Sequence, residues 1–257
     1  LQFCQYKPVE YYFLVVCFVE KCRRLFYGGI LMALYLVIMG VQGCGKGTQA
    51  AFISEEFGIP HVSTGDLFRA MKTRTDELAQ RVQDIINSGI LVPDDVTNEV
   101  LKDRLEQDDA ANGVILDGYP RNVEQAKWLG EYLESNGKEL NAVLLLGLDF
   151  YTAFKRAFGR VKAADGTQYN IFTNNEGLEW VAEDHPNGDY PPRLIVTNKE
   201  TGEKLERRID DEAFSVIKRI ETYRQSTAPL IGYYGENGRT LSFDASQSID
   251  EVGKAIK

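Results

Sequence analysis

Histidine and useful cysteine are nearly missing. Only His61 and His185 occur in 257 residues, and three of the four cysteines (Cys4, Cys17, Cys22) crowd the N-terminus without C-x-x-C spacing. That excludes a zinc centre, a disulfide framework and histidine-triad catalysis, and it suits a reducing compartment. Positive charge is also short: 29 Lys and Arg face 38 Asp and Glu, for a net charge of −9. A broad nucleic-acid surface is therefore not expected, and any basic site must be local. Long apolar runs are lacking too. The run at 11–19 is broken by Glu20, Lys21, Arg23 and Arg24, and the uncharged stretch at 25–40 falls short of the roughly 18–20 residues of a membrane-spanning helix. Positive charge follows the first run, whereas in a signal peptide it would precede it. No internal repeat or low-complexity segment is present. The expectation is a cytoplasmic monomer acting on small molecules, with no nucleic acid and no membrane partner.

The length fits one large α/β domain carrying an inserted piece. Residues 1–31 read differently from the rest and are expected to be a non-native or disordered extension ahead of Met32. From there, short apolar runs at 34–39, 113–116, 142–146 and 240–243, with a weaker one at 61–62, read as buried strands. Amphipathic stretches near 46–57, 65–89, 94–108, 122–136 and 211–224 read as helices. This alternation predicts a three-layer α/β fold with a mostly parallel central sheet. The segment from about 161 to 207 breaks the rhythm, being rich in Gly, Asn, Asp, Glu and Pro, and is too long for a bare loop in a compact domain.

Gly40-Val41-Gln42-Gly43-Cys44-Gly45-Lys46-Gly47-Thr48 directly follows the first strand and opens a helix. Glycines let consecutive backbone N–H groups turn inward, the helix start adds partial positive charge, and a lysine reaches the terminal phosphates. This is a nucleoside triphosphate cradle. The generic form has Ser or Thr directly after Lys; here Gly47 intervenes and Thr48 follows. Cys44 reads as a small packing residue.

A cradle names no reaction, so the arginines decide. In Ser63-Thr64-Gly65-Asp66-Leu67-Phe68-Arg69, Ser63 or Thr64 can cap a helix with Arg69 one turn inside. In Asp117-Gly118-Tyr119-Pro120-Arg121, the aspartate ends a buried strand, where open α/β sheets place ligands. Asp117 there suits Mg²⁺ held through water, with Thr48 a second candidate, and Arg121 emerges over the same edge. Arg156 and Arg160 are four apart, as on one helical face. Arg208 and Arg219 are eleven apart, about three helical turns, with Asp210 and Asp211 placed to hold the arginines. Arginines keyed to strand ends in an acidic chain suggest a pocket for several phosphates.

These motifs, together with Gln125 and Gly159-Arg160, resemble the adenylate kinase family in order and spacing from Met32 to the C-terminus. The resemblance implies a P-loop fold with core segments 32–62, 93–159 and 209–257, a helical AMP-binding segment 63–92 and a lid 160–208. It implies reversible phosphoryl transfer from MgATP to AMP, giving two ADP. ATP would be held by Gly43, Cys44, Gly45, Lys46, Gly47, Thr48, Arg156, Arg160, Gln168, Tyr169 and Gln247. AMP would meet Thr64, Arg69, Ile90, Leu91, Val92, Gly118, Tyr119, Pro120, Arg121, Gln125, Arg208 and Arg219, with Gln125 at the adenine. Lys46, Arg121, Arg160, Arg208 and Arg219 would carry the transfer. Gln42 stands where the family usually has Pro, and Tyr119 where Phe is commoner. The lid carries extra residues around 174–192, and having no cysteine and only His185 it belongs with the forms lacking zinc. The alternatives are a UMP/CMP-type kinase and a P-loop module that binds nucleotide without transfer.

Overall fold

The computed structural model describes residues 33–87, 92–184, 193–236 and 238–256. The reading of residues 1–31, the candidates Ile90 and Leu91, and His185 lie outside the described residues.

In chain order the elements are β1 (Leu34–Gly40), α1 (Lys46–Phe57), β2 (His61–Ser63), α2 (Thr64–Met71), α3 (Glu77–Asn87), α4 (Asp94–Leu105), β3 (Gly113–Asp117), α5 (Val123–Ser135), β4 (Leu140–Gly147) and α6 (Phe150–Phe158). Four short strands follow, β5 (Arg160–Lys162), β6 (Gln168–Asn170), β7 (Leu178–Glu183) and β8 (Arg193–Asn198). Then come α7 (Ala213–Thr222), α8 (Pro229–Glu236), β9 (Thr240–Asp244) and α9 (Ile249–Ile256).

Five strands form one parallel sheet in the order β2-β3-β1-β4-β9. β1 is buried along its whole length, and its two faces feed two cores. Leu34, Leu36 and Ile38 pack with Ala50 and Ile53 of α1, Ala153 of α6, and Val252 and Ile256 of α9. Tyr35, Val37 and Met39 pack on the other side with Leu101 and Leu105 of α4, Ala126, Leu129 and Leu133 of α5, and Leu230 of α8. The period of two in one strand thus specifies all three layers.

Two smaller cores stand apart from the sheet. Met71, Ala79, Val82, Val96 and Val100 form one, within the stretch expected to receive AMP and the helix that follows. Val161, Ala163, Ile171, Leu178, Val196 and Leu205 form the other, entirely within the insertion, whose strands pair antiparallel as β5-β6 and β7-β8. Lys162 and Glu206 exchange backbone hydrogen bonds of 2.9 and 2.8 Å, closing the insertion at its neck.

The expected strands all form, slightly extended, but several helices depart from the sequence reading. The single helix expected at 65–89 is two, α2 and α3, because Asp76 turns its carboxylate onto the amide of Ala79 and starts a new helix. The helix expected through 108 ends at Leu105, and a separate 3₁₀ turn covers Asp108–Ala110. α6 stops at Phe158, so Arg160 lies on β5 and shares no helical face with Arg156. The uninterrupted helix expected between Arg208 and Arg219 is also absent: Ile209–Asp211 is a 3₁₀ turn, and α7 begins only at Ala213. The short helices α8 and α9 were not expected. Among the described residues no helix is long and apolar enough to cross a membrane.

Leu129, fully buried between α5 and the sheet, reports on this packing. Leu129→Ala should cost about 2–5 kcal/mol, measured by urea unfolding, and a cost below about 1 kcal/mol would show that the layer repacks around the gap.

Candidate active site

Because the sheet is parallel, its carboxyl ends share one edge, and the functional loops gather there. Ile38 is in register with Asp117, and Asp117 with Ser63, so the loop after β1, the end of β3 and the start of α2 are neighbours by backbone pairing alone. Gly43 sits at φ +87°, and a Cβ there would lie 2.6 Å from the carbonyl oxygen of Ala153. Only glycine lets this loop pass so close to α6. No side chain caps the first amides of α1, and its first turn carries no acidic residue, as an anion site at a helix start requires. Lys46 Nζ donates to the carbonyls of Gly40 and Val41 at 2.8 and 3.2 Å, laying its charge across the loop. The Cys44 side chain is buried in the core beneath, which leaves only its backbone to face a phosphate.

Asp117 faces the cradle from β3: a Cβ on Gly47 would stand 3.9 Å from Asp117 Oδ2. His61 Nε2 lies 3.4 Å from the same oxygen without hydrogen bonding to it. Among the described residues no three His, Cys, Asp or Glu side chains gather as a metal cage. One carboxylate beside a phosphate loop, with the exposed Thr48 near the helix start, fits a divalent cation that keeps its waters and takes other oxygens from the nucleotide.

Arg121 rises from the β3 loop. Its Nε donates to Gly118 O at 2.8 Å, and Thr64 Oγ1 donates to the same carbonyl at 3.0 Å. Gly118 lies at φ +79°, where a Cβ would press to 2.9 Å from that hydroxyl. Arg160 makes a two-pronged pair with Asp211, at 2.9 and 2.8 Å, and Asp211 is completely buried. Arg219 pairs with Asp210. These guanidinium groups feel one another. Arg219 keeps an exposed surface, yet the protein around it holds its pKa below the ordinary arginine value, and repulsion from Arg121 and Arg160 acts the same way against Asp210 and Asp211. Burial depresses Arg121 likewise, with Asp117 opposing. Arg208 lies near enough for its charge to stabilise ionised Asp211. Arginines gathered this closely make a site suited to a polyanion.

Other sequence candidates are placed less centrally. Arg69 folds back onto Asp66 at 2.5 Å, and Arg156 donates to Ala245 O at 2.7 Å, reaching the turn that carries the exposed Gln247. Tyr169 packs partly into the core of the insertion, while Gln168 is exposed. Tyr119 is buried with its hydroxyl 2.6 Å from Asn98 Oδ1, and Pro120 is buried beside it, so this pair offers backbone and not ring surface to the cleft. Val92 packs against the small core of α2, α3 and α4. Gln125 is buried, with its amide fully oriented by neighbours.

Three residues escaped the sequence reading. Gln42 donates to Asp211 Oδ1 at 3.4 Å, linking the phosphate loop to the neck of the insertion. Arg207, almost wholly buried, stacks its guanidinium 4.9 Å above the Phe158 ring and donates to the carbonyls of Phe158 and Asp211, joining the two sides of that neck. Asp94 accepts from Gln125 and Asn122. In sequence Gln42 shows only as a departure from the family's usual proline and Arg207 only as one of two adjacent arginines, with no sign of which turns inward.

The parallel sheet, the glycine loop with its lysine, the opposing aspartate and the converging arginines define a P-loop phosphotransferase acting on nucleotides. The sequence pattern of the adenylate kinase family matches residues 38–239. The chain is 40% identical over 223 residues to an adenylate kinase of Caldanaerobacter subterraneus subsp. tengcongensis, covering 86% of this chain and 94% of that one. It is 38% identical over 222 residues to one of Fervidobacterium nodosum (86% and 94%), and 39% identical over 217 residues to one of Streptomyces avermitilis (84% and 92%). The chain belongs to the adenylate kinase family.

The buried Asp211 generates a test of the pair that holds Arg160. Burial raises its pKa more than Arg160 lowers it. The folded state therefore binds this proton more tightly than the unfolded chain, and its contribution to stability falls as pH rises from the ordinary aspartate range through the raised value. Asp211→Asn removes that term. Its stability relative to the parent should increase from acid pH to neutrality in denaturant titrations; a relative stability that is flat or falling would show that Arg160 outweighs burial.

Proposed function

We propose that the chain catalyses reversible phosphoryl transfer from MgATP to AMP, yielding two ADP, at the arginine-lined edge described above. The pairing of Arg160 and Arg219 with the adjacent Asp211 and Asp210, with Arg121 near enough for its charge to act on Arg219, all beside the Lys46 loop, carries this reading. A module that only held one nucleotide would have no use for cations drawn from β3, the insertion and α7.

Transfer needs alignment and charge stabilisation and little covalent help. Lys46 and the loop amides from Gly43 to Thr48 hold the ATP phosphates, aided by Arg156. Gln168, Tyr169 and Gln247 lie toward the adenine of ATP. Thr64, Arg69, the segment Ile90 to Val92, the backbone from Gly118 to Pro120, Arg121 and Gln125 receive AMP, with Gln125 at its base. Arg160, Arg208 and Arg219 meet the charge that spreads over the moving phosphoryl group. Asp117, with Thr48, would hold Mg²⁺, which supplies charge neutralisation between the phosphates. No general base is needed, since the acceptor oxygen of AMP is already anionic.

Water competes as acceptor. The insertion 160–208 acts as a lid that closes over ATP and brings Arg160 from its border, so that hydrolysis is suppressed until AMP arrives. Its separate core and its neck tied by Arg207 suit a unit that moves as one piece. The net charge of −9 supports a protein that holds no nucleic acid; a cytoplasmic setting and a monomeric state complete the proposal.

Arg121→Ala and Arg160→Ala should each lower turnover in a coupled ADP-formation assay by at least about a hundredfold; a loss under fivefold would remove that residue from the transfer site. Comparing AMP with CMP, UMP and GMP as acceptors separates this reading from a UMP/CMP-type kinase. Deleting 161–207 should leave ATP binding intact and abolish transfer, and retained transfer would refute the lid.

A further inference from the structure

Among the described residues Gln125 is the one buried side-chain amide in the region assigned to the acceptor base, at 4% exposure, and its orientation is fixed twice over. Its Oε1 accepts the backbone N–H of Arg121 at 2.8 Å, and its Nε2 donates to Asp94 Oδ1 at 2.6 Å. The backbone N–H can only donate and the carboxylate can only accept, so neither neighbour tolerates the amide turned through 180°. Asp94 is itself held, because its Oδ2 accepts from Asn122 Nδ2 at 2.9 Å while Asn122 Oδ1 caps α5 by accepting the Gln125 N–H at 2.8 Å. The amide keeps one lone pair on Oε1 and one proton on Nε2 for a ligand.

Those two remaining functions have a polarity. The Watson–Crick edge of adenine offers a donor at the 6-amino group and an acceptor at N1, which match Oε1 and Nε2 in the orientation seen. A 6-oxopurine such as hypoxanthine or guanine offers the reverse, an acceptor at O6 and a donor at N1, and would need the amide turned over. We infer that Asp94 is a specificity-determining positioning residue: through Gln125 it fixes the hydrogen-bond polarity of the acceptor site, admitting a 6-aminopurine monophosphate and rejecting a 6-oxopurine one. The inference rests on Gln125 reading the acceptor base, as proposed above. Rejection arises because the wrong base meets donor with donor and acceptor with acceptor, leaving buried polar groups unpaired.

The test uses the full chain with AMP and IMP as acceptors and ATP as donor. Asp94→Asn keeps the size of the side chain but can present either a donor or an acceptor to Gln125. It should lower kcat/KM for AMP by about tenfold, the scale of one charge-assisted hydrogen bond, and lower the AMP-to-IMP ratio of kcat/KM by at least about fivefold. The KM for ATP should not move, whereas a general loosening of the fold would shift it as well. Asp94→Ser, which also suits a helix start but cannot reach Gln125, should give the same pattern and serves if the asparagine variant does not fold. Gln125→Ala separates the two layers of the argument. If it weakens AMP while both Asp94 variants leave the AMP-to-IMP ratio within twofold of the parent, the positioning role of Asp94 is overturned. If Gln125→Ala changes neither AMP affinity nor the ratio, base reading by Gln125 fails, and the inference falls with it.

Discussion

Several guanidinium groups cannot share a recess unless something holds each of them against its neighbours, and this constraint organises the whole sheet edge. Arg121 is held by the Gly118 carbonyl, and the carboxylates that hold two of the others come from one short turn. Asp210 takes Arg219 and the fully buried Asp211 takes Arg160 with both oxygens. Such a buried pair is a poor source of stability, since desolvation offsets most of its attraction. It is a good source of placement, because the two-pronged geometry leaves Arg160 little freedom. Burial keeps the Asp211 pKa raised even beside that arginine. The fold thus tolerates local destabilisation at one edge and supplies the stability elsewhere, in two apolar layers built on alternate residues of β1.

Much of this was legible in the chain, for identifiable reasons. Strand positions were readable because buried parallel strands are continuous apolar runs, and the phosphate loop because its glycines, lysine and flanking strand leave few other meanings. Helix limits were less so. The break between α2 and α3 depends on one aspartate capping the next turn, a choice that a periodic pattern cannot display. The arginines near the insertion do not share helical faces, since helical spacing fails across Phe158 and across the 3₁₀ turn after Arg208. Arg207 shows the limit most clearly. Next to Arg208 it has the same chemistry, and the packed Phe158 ring, the carbonyls around it and the Glu212 carboxylate decide that it turns inward.

That inward arginine bears on how the insertion can move. Both chain crossings of the neck are tied, by the Lys162–Glu206 backbone pair, by Arg160 to Asp211 and by Arg207 to Phe158 and Asp211. A neck closed in this way favours rotation of the insertion as a unit over separate fraying of its two borders, and the private core of the insertion does the same. Gln42 extends the chain of contacts to the phosphate loop. A proline at that position could donate no such bond, so it is the glutamine side chain that links the loop to the neck of the insertion.

The two halves of the proposed reaction make different physical demands, and the structure answers them with different groups. The phosphates of any nucleotide present the same charge, so the cations at the sheet edge can stabilise transfer but cannot select a base. Selection has to come from groups whose polarity is fixed, and fixing an amide requires neighbours that can act in only one sense. A backbone N–H and a carboxylate are such neighbours, and Gln125 lies between one of each. Without the Asp94 carboxylate, the backbone N–H of Arg121 alone would hold the amide against turning over. Charge for rate and oriented dipoles for choice thus come from different groups in this site: Asp94 bonds to Gln125 and Asn122, and Arg121 alone serves both sets, its guanidinium in the cluster and its backbone N–H on Gln125.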